Sequence, residues 1–350
     1  MVNALSIDLE DHYHVCGLDS NSAQESVVRP NGRLQKSVNN IINLLERDDI
    51  HATFFVVGEL AKSYPELIKK IVDRGHEVAS HGFVHKRIFD MSQEEFEQDL
   101  IQSKVAIENA SGKEVVGYRA PEWSLKRDNI WVFDILKKHG FRYDASAVPL
   151  SHLGGSYFDL YPYEITTKYG NIFEFPLSTF RCFWERIPFS GGLPMRITPY
   201  FYVLDCARAI NRSGYPIMFY LHAWEFDNEP EKIDLPINRK FMHYCNLKST
   251  SKKTRFLLER MQFSTVENVL GIKEPTCNNR YIRKETKNYY DSTYFISMLK
   301  AYIFIGSLAT FIFAVSFLMK QYAFLLILVL ATVFYWPWGL LLKKINSLFK

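Results

Sequence analysis

Residues 1–270 predict an α/β fold of parallel strand–helix units. Three observations carry this expectation. Short β-branched or aromatic runs alternate with amphipathic stretches, Pro and Gly stand where those stretches begin and end, and several of the runs finish in acids or histidines. In order, Ala4–Leu9 reads as a strand that runs into acids. Leu34–Leu45 has helical spacing, and Ala52–Val57 (ATFFVV) is a strand. Glu59–Arg74 is amphipathic, with Pro65 opening its main helix and Gly75 closing it. Glu77–Ala79 is a short strand and Gln93–Ala110 a long helix. Val115–Tyr118, Trp131–His139 and Phe141–Tyr143 repeat the alternation. The pattern fits an α/β sheet or barrel, and no internal repeat or low-complexity tract interrupts it.

Composition bounds the function classes. The 350 residues are 47% hydrophobic and 23% charged, as expected of a folded protein with some apolar excess. A net charge of +4 is small for this length and argues against a bulk polycation for nucleic acid. The five cysteines (Cys16, Cys182, Cys206, Cys245, Cys277) are scattered and odd in number, and read as reduced thiols. The N-terminal VNALSIDLEDHYHV has neither basic nor apolar signal regions, so no secretory signal is expected.

The composition changes near Gly271. Residues 271–294 are polar and basic and read as a linker, and 295–350 hold two apolar stretches, Ala301–Leu318 and Tyr322–Leu342. Each approaches the length needed to cross ~30 Å of hydrocarbon. They predict a transmembrane helical hairpin with a short basic tail; the bland alternative is a buried helix pair. Arg280, Arg283, Lys284, Lys287 and Lys300 flank the hairpin on one side, and Lys343, Lys344 and Lys350 on the other. The positive-inside rule then predicts a multi-pass protein of the bacterial inner membrane, with the preceding domain facing the cytoplasm.

Five clusters carry candidate chemistry. Asp8-Leu9-Glu10-Asp11 ends the first strand, where active sites of parallel α/β folds sit, although a solvated acidic turn is the commoner fate of such a run. His81 and His85 in SHGFVH are spaced to share a metal from one helical turn, and two imidazoles with a carboxylate make a catalytic zinc set. Gly117–Trp123 (GYRAPEW), Tyr143–Ser146 (YDAS) and Tyr220–Glu225 (YLHAWE) are individually ordinary. Arg119 could be a salt bridge, Asp144 a cap and His222 a core histidine.

Taken together in order, these clusters resemble the NodB-homology polysaccharide deacetylases (carbohydrate esterase family 4). The stretch TFFVVGELAKSYPELIKKIVDRGHEVASHGFVH is especially similar. EFPLST, SGGLPMRITPYF and YLHAWEFD resemble the subgroup found with bacterial exopolysaccharide gene clusters. The resemblance covers about residues 3–270. It implies a distorted (β/α) barrel with Asp8 as general base, Glu10, His81 and His85 as metal ligands, and His222 as general acid. Arg119 would hold Asp8, and Asp144 would orient His222. Three departures stand out: the acids read D-L-E-D, Gly82 and Lys86 follow the two histidines, and Glu122 separates Pro121 from Trp123. The carboxylate ligand is therefore Glu10 or Asp11; Glu10 is favoured because it shares a strand face with Asp8. His12 and His14 read as structural or substrate-lining, with His14 a remote alternative ligand. Pro121, Trp123 and Trp224 are expected to contact substrate. Phe183, Trp184, Tyr200 and Tyr202 read more as packing than as sugar platforms.

The function expected from this resemblance is metal-dependent N-deacetylation of an amino sugar, in a glycan or a polyprenyl-phosphate-linked saccharide. Zn²⁺ leads the candidate metals, and the membrane and a glycan are the expected partners. The alternatives are a deformylase or another C–N amide hydrolase acting on a lipid-linked sugar, and a non-catalytic glycan-binding scaffold of an envelope assembly complex.

Overall fold

The computed structural model describes residues 1–11, 14, 32–151, 155–182, 185–227, 230 and 235–272. One sheet organises them. β1 (Val2–Leu9) lies between β10 (Met218–His222) and β2 (Thr53–Val56). β3 (Glu77–Ser80), β4 (Gly117–Tyr118), β5 (Tyr143–Asp144), β7 (Gly170–Glu174) and β6 (Tyr163–Thr167) follow beyond β2. β11 (Gln262–Ser264) adds to the start of β1. Every pairing is parallel except the β6–β7 hairpin. A separate hairpin pairs β8 (Thr179–Cys182) with β9 (Glu185–Pro188).

The expected helices form with small shifts. α1 (Arg33–Glu46) buries Leu34, Val38, Ile41, Ile42 and Leu45. The amphipathic run after β2 splits into α2 (Gly58–Ser63) and α3 (Pro65–Asp73), because Pro65 opens a second helix. α4 (Gln93–Ser111) starts in a capping box between Ser92 and Glu95 and stops at left-handed Gly112. α5 (Val132–Lys138) follows β4. α6 (Gly192–Ile197), α7 (Tyr200–Arg212), α8 (Ile237–Tyr244), α9 (Thr250–Leu258) and α10 (Val266–Leu270) complete the set.

The sheet curls into a barrel whose last gap is bridged by serines rather than by a ladder. Ser178 Oγ accepts from the Met218 N–H (2.9 Å), Ser190 Oγ donates to the Ser178 carbonyl (3.2 Å), and the Tyr220 N–H donates to Ser190 (3.0 Å). Inside, Ala4, Phe55, Ala79, Val116, Tyr143 and Met218 share one buried cluster. Gly117 is required there: a Cβ would stand 2.0 Å from the Tyr143 ring. The α/β barrel expectation therefore holds for the described residues.

The membrane part of the expected fold is corrected. Among the described residues no helix is long and apolar enough to cross a membrane. The longest, α4, has 19 residues but carries Glu94, Glu95, Glu97, Asp99, Lys104 and Glu108, so it is an amphipathic barrel helix. The two-helix hairpin expected at 295–350 lies outside the described residues. With no such helix among the described residues, the multi-pass inner-membrane placement is not supported either.

The N-terminal end of the barrel holds a partly buried acid. Tyr143 OH and Thr53 Oγ1 donate to Glu77 at 2.6 and 2.5 Å, and the Glu267 N–H donates at 3.2 Å. Burial nevertheless pushes the Glu77 carboxyl up to about 7, against the hydrogen bonds from Thr53 and Tyr143. An acid raised on folding contributes stability below its unfolded value, and that contribution is lost as pH rises through the folded value. Between about pH 4.5 and 7 the folded chain holds this proton more tightly than the unfolded one. Glu77→Gln is therefore expected to reduce the fall in unfolding free energy over that range, by at most about 3 kcal/mol. Urea unfolding at several pH values reads the difference, and an unchanged slope would contradict it.

Candidate active site

Parallel pairing brings the motif residues to one end of the barrel. Asp8 ends β1 opposite Phe55 on one side and His222 of β10 on the other. Its Oδ1 accepts from Arg119 Nη1 at 2.5 Å, and its Oδ2 faces His222 Nε2 at 4.0 Å. Arg119 leaves β4 and is 1% exposed. Its Nε donates to the Ala145 carbonyl (3.2 Å), its Nη2 lies 2.9 Å from Met218 Sδ, and its guanidinium sits 3.9 Å over the Phe55 ring. Each nitrogen of the fork is engaged, which fixes the Asp8 carboxylate.

Glu10, His81 and His85 each offer a ligand atom, all within 4.8 Å of one another. The donor chemistry fits a divalent ion. His81 Nδ1 donates to the Arg119 carbonyl at 2.8 Å, which leaves its Nε2 lone pair available. Burial lowers His81 to about 4, so its imidazole is neutral near pH 7. Glu10 Oε2 lies 2.7 Å from His85 Nε2, and Glu10 Oε1 accepts from Trp224 Nε1 at 3.0 Å. Burial alone would raise the Glu10 carboxyl; His85, then His222 and His81, outweigh it and hold it well below the carboxylate range. Asp11, the alternative ligand, is not in this group; its N–H donates to His14 Nδ1 at 2.9 Å. The His14 ring packs 5.1 Å from that of His85, and burial lowers it to about 3. His12 lies outside the described residues.

The His81–His85 segment is not the helical turn its spacing suggests. Gly82 takes φ +74° and His85 φ +57°, and the loop is tied from outside. Asp99 of α4 accepts from the Phe83 N–H (2.8 Å) and the Val84 N–H (3.2 Å), and Ser103 Oγ donates to the Gly82 carbonyl (3.0 Å). Left-handed residues break the i, i+4 geometry, so the two imidazoles converge by a loop. Asp99→Ala is expected to weaken metal binding by about 10–100-fold, as loss of outer-shell support does. A competition titration with a chelator reads it, and unchanged affinity would refute the role.

His222 bridges two sides of the site. Its Nε2 lies 3.7 Å from Glu10 Oε1, and its Nδ1 lies 3.6 Å from Glu225 Oε1. Burial opposes its charge, but Glu225, Glu10 and Asp8 outweigh burial and lift it to about 9. Trp224 lies nearly parallel to it, with ring centres 5.2 Å apart. Asp144 is not beside His222. It accepts from Ser146 Oγ (2.6 Å) and the Ser146 N–H (3.2 Å), and faces Glu174. Burial, then the Asp144 charge, push the Glu174 carboxyl well up. The structure thus puts Glu225, not Asp144, beside His222. Asp144 pairs in register with Glu174 of β7, a pairing that local sequence does not reveal.

The residues expected to contact substrate differ in how exposed they are. Pro121 is buried below Gly82. Trp123 packs edge-on to Tyr220, with centres 5.0 Å apart, and near Arg119. It follows Glu122, and both residues take positive φ, 54° each. Trp224 is half-buried, and its Nε1 donates to Glu10 Oε1. Tyr202 is buried in α7, whereas Phe183 and Trp184 lie outside the described residues. Sequence reasoning missed Asp99, Arg196 and Glu225; Glu225 stood in YLHAWE, three residues after His222, as its only local signal.

Two family models match parts of this sequence. Residues 30–143 match the polysaccharide deacetylase family, and residues 145–271 match a family described only as a domain of unknown function. The boundary falls inside the sheet, between β5 and β6, so the two matches share one barrel. A Helicobacter pylori peptidoglycan deacetylase is 37% identical over 106 residues, which is 30% of this chain and 35% of that protein. A Sinorhizobium fredii chitooligosaccharide deacetylase is 33% identical over 97 residues, 27% of this chain and 42% of that protein. The chain thus spans about a third to two-fifths of these relatives' length. The fold is similar to that of a polysaccharide-deacetylase-type protein from Mycobacterium smegmatis, with TM-score 0.53 and 20% identity, covering 77% of this chain and 90% of that one.

Proposed function

We propose that this chain, which carries a domain of the polysaccharide deacetylase family, hydrolyses the N-acetyl group of an amino sugar in an oligomeric glycan. The observation that carries the reading is the convergence of Glu10, His81 and His85 beside the Asp8–Arg119 pair and His222. The names of the two deacetylase relatives support the substrate class.

Glu10, His81 and His85 would hold a divalent ion, zinc being the first candidate for two imidazoles and a carboxylate, and its chemistry there would be Lewis-acid polarisation and a lowered pKa of water. The chain's own residues do the rest. Arg119 holds Asp8 Oδ1, which leaves Oδ2 toward the cleft to take a proton from the attacking water. The water oxygen bonds to the amide carbon. His222 Nε2 then gives a proton to the departing nitrogen as the C–N bond breaks, so that acetate and a free amine result. Trp224, Trp123 and Pro121 shape the cleft wall that orients the sugar.

The test is acetate and amine release from N-acetylated chitooligosaccharides and peptidoglycan fragments, with polyprenyl-phosphate-linked N-acetylhexosamine and N-formyl sugars as further arms. Release from the first two supports the reading. Release from the lipid-linked sugar alone would move the substrate class, formate in place of acetate would favour the deformylase, and none from any arm would favour a non-catalytic glycan-binding scaffold.

A further inference from the structure

His222 is caught between a carboxylate chain on one side and the reaction centre on the other, and that chain lies in the half of the barrel matched only by a family of unknown function. Glu225 is 2% exposed. Its Oε2 accepts from the His222 N–H (3.3 Å), and its Oε1 stands 3.6 Å from His222 Nδ1 and 3.1 Å from Arg196 Nε. Arg196, in α6, is 2% exposed and is pinned by backbone. Its Nη1 donates to the carbonyls of His243 (2.9 Å) and Cys245 (2.8 Å), and its Nη2 to that of Met242 (2.5 Å). The guanidinium therefore cannot swing away, and it holds the Glu225 carboxylate against the imidazole.

Three buried atoms here, His222 Nδ1, Glu225 Oε1 and Arg196 Nε, sit at close range without a completed hydrogen bond among the described residues. A small rotation of the carboxylate would join them, and hydrogen bonds of this kind tighten when substrate is bound. The ring is otherwise fixed by Trp224 on one face and by Tyr220, edge-on at 5.7 Å. Asp144 is committed to Ser146 and Glu174 and supplies none of this.

We propose that Glu225, clamped by Arg196, is the positioning residue that aims His222 Nε2 at the departing nitrogen. The proposal rests on the deacetylase reading above. It differs from a purely structural ion pair in what it affects. An amide nitrogen must be protonated to leave, whereas the phenolate of an aryl acetate leaves without a proton. A residue that only positions the acid matters for the first and not for the second.

The experiment compares wild type, Glu225→Gln, Glu225→Asp and His222→Gln on an N-acetylated chitooligosaccharide and on 4-nitrophenyl acetate, with thermal midpoints alongside. Glu225→Gln is expected to lower kcat on the amide about 10–100-fold, the scale of outer-shell losses, with KM nearly unchanged. Its rate on the aryl acetate should stay within about 3-fold, and the double variant with His222→Gln should lose no more than His222→Gln alone, as residues acting as a unit do. Glu225→Asp should recover part of the amide rate, which keeps the test open if the glutamine variant folds poorly. Equal losses on both substrates, full additivity with His222→Gln, or a wild-type amide rate in Glu225→Gln would each overturn the proposal. If wild type cleaves the ester but no N-acetyl sugar, the deacetylase reading itself fails, and the proposal with it.

Discussion

Asp8→Asn is expected to lower kcat/KM for N-acetyl hydrolysis by about 10²–10⁴-fold, the range lost with a general base. The asparagine keeps the size of the side chain and an oxygen for Arg119 Nη1, so the pairing geometry that now holds Asp8 Oδ1 survives. What disappears is the proton acceptor at Oδ2, which faces the cleft beside His222. Metal content should be unchanged, because Asp8 is not one of the three residues whose ligand atoms converge. Initial rates and metal analysis on the same preparation check both halves. A loss under about 5-fold would remove Asp8 from the base role, on the same scale of general-base contributions.

Arg119→Met is expected to cost about 3–5 kcal/mol of stability, the penalty for leaving one member of a buried ion pair without its partner. Asp8 is 2% exposed and cannot recover solvent when the guanidinium is gone. The substitution also removes the bond to the Ala145 carbonyl and the stacking over Phe55. Arg119→Lys should recover only part of this, since an ammonium cannot reach Asp8 and Ala145 together as a fork does. Urea unfolding of both variants measures the difference. A cost below about 1 kcal/mol for Arg119→Met would mean that water reaches Asp8 and that the pair behaves like an exposed one.

Much of the site is legible in sequence because strand ends fix it. Asp8, His81, Arg119 and His222 each follow a short apolar run, and parallel pairing places such positions together at one end of a barrel. Glu10 over Asp11 follows from alternation along an extended chain. The rest depends on contacts between segments far apart. Asp99 holds the His81–His85 loop from a helix 15 and 16 residues downstream of the amides it accepts from, and Arg196 reaches Glu225 from another helix. Asp144 was a reasonable partner for His222 by motif order, but Glu174 engages it across β5 and β7. The i, i+4 spacing of the histidines suggested a helix, and positive φ at Gly82 and His85 decided otherwise. The apolar C-terminal stretches predict membrane helices from their length and composition, whereas among the described residues no helix is long and apolar enough to cross a membrane.

The most direct test is metal content and acetate release measured together, for wild type and His81→Ala, on an N-acetylated chitooligosaccharide. The account predicts about one divalent ion per chain and acetate release in wild type, and loss of both in His81→Ala, because a catalytic site with three protein ligands cannot spare one. Acetate release that persists in His81→Ala without bound metal, or a His81→Ala variant that binds the ion as well as wild type does, would contradict the assignment of Glu10, His81 and His85 as the metal centre.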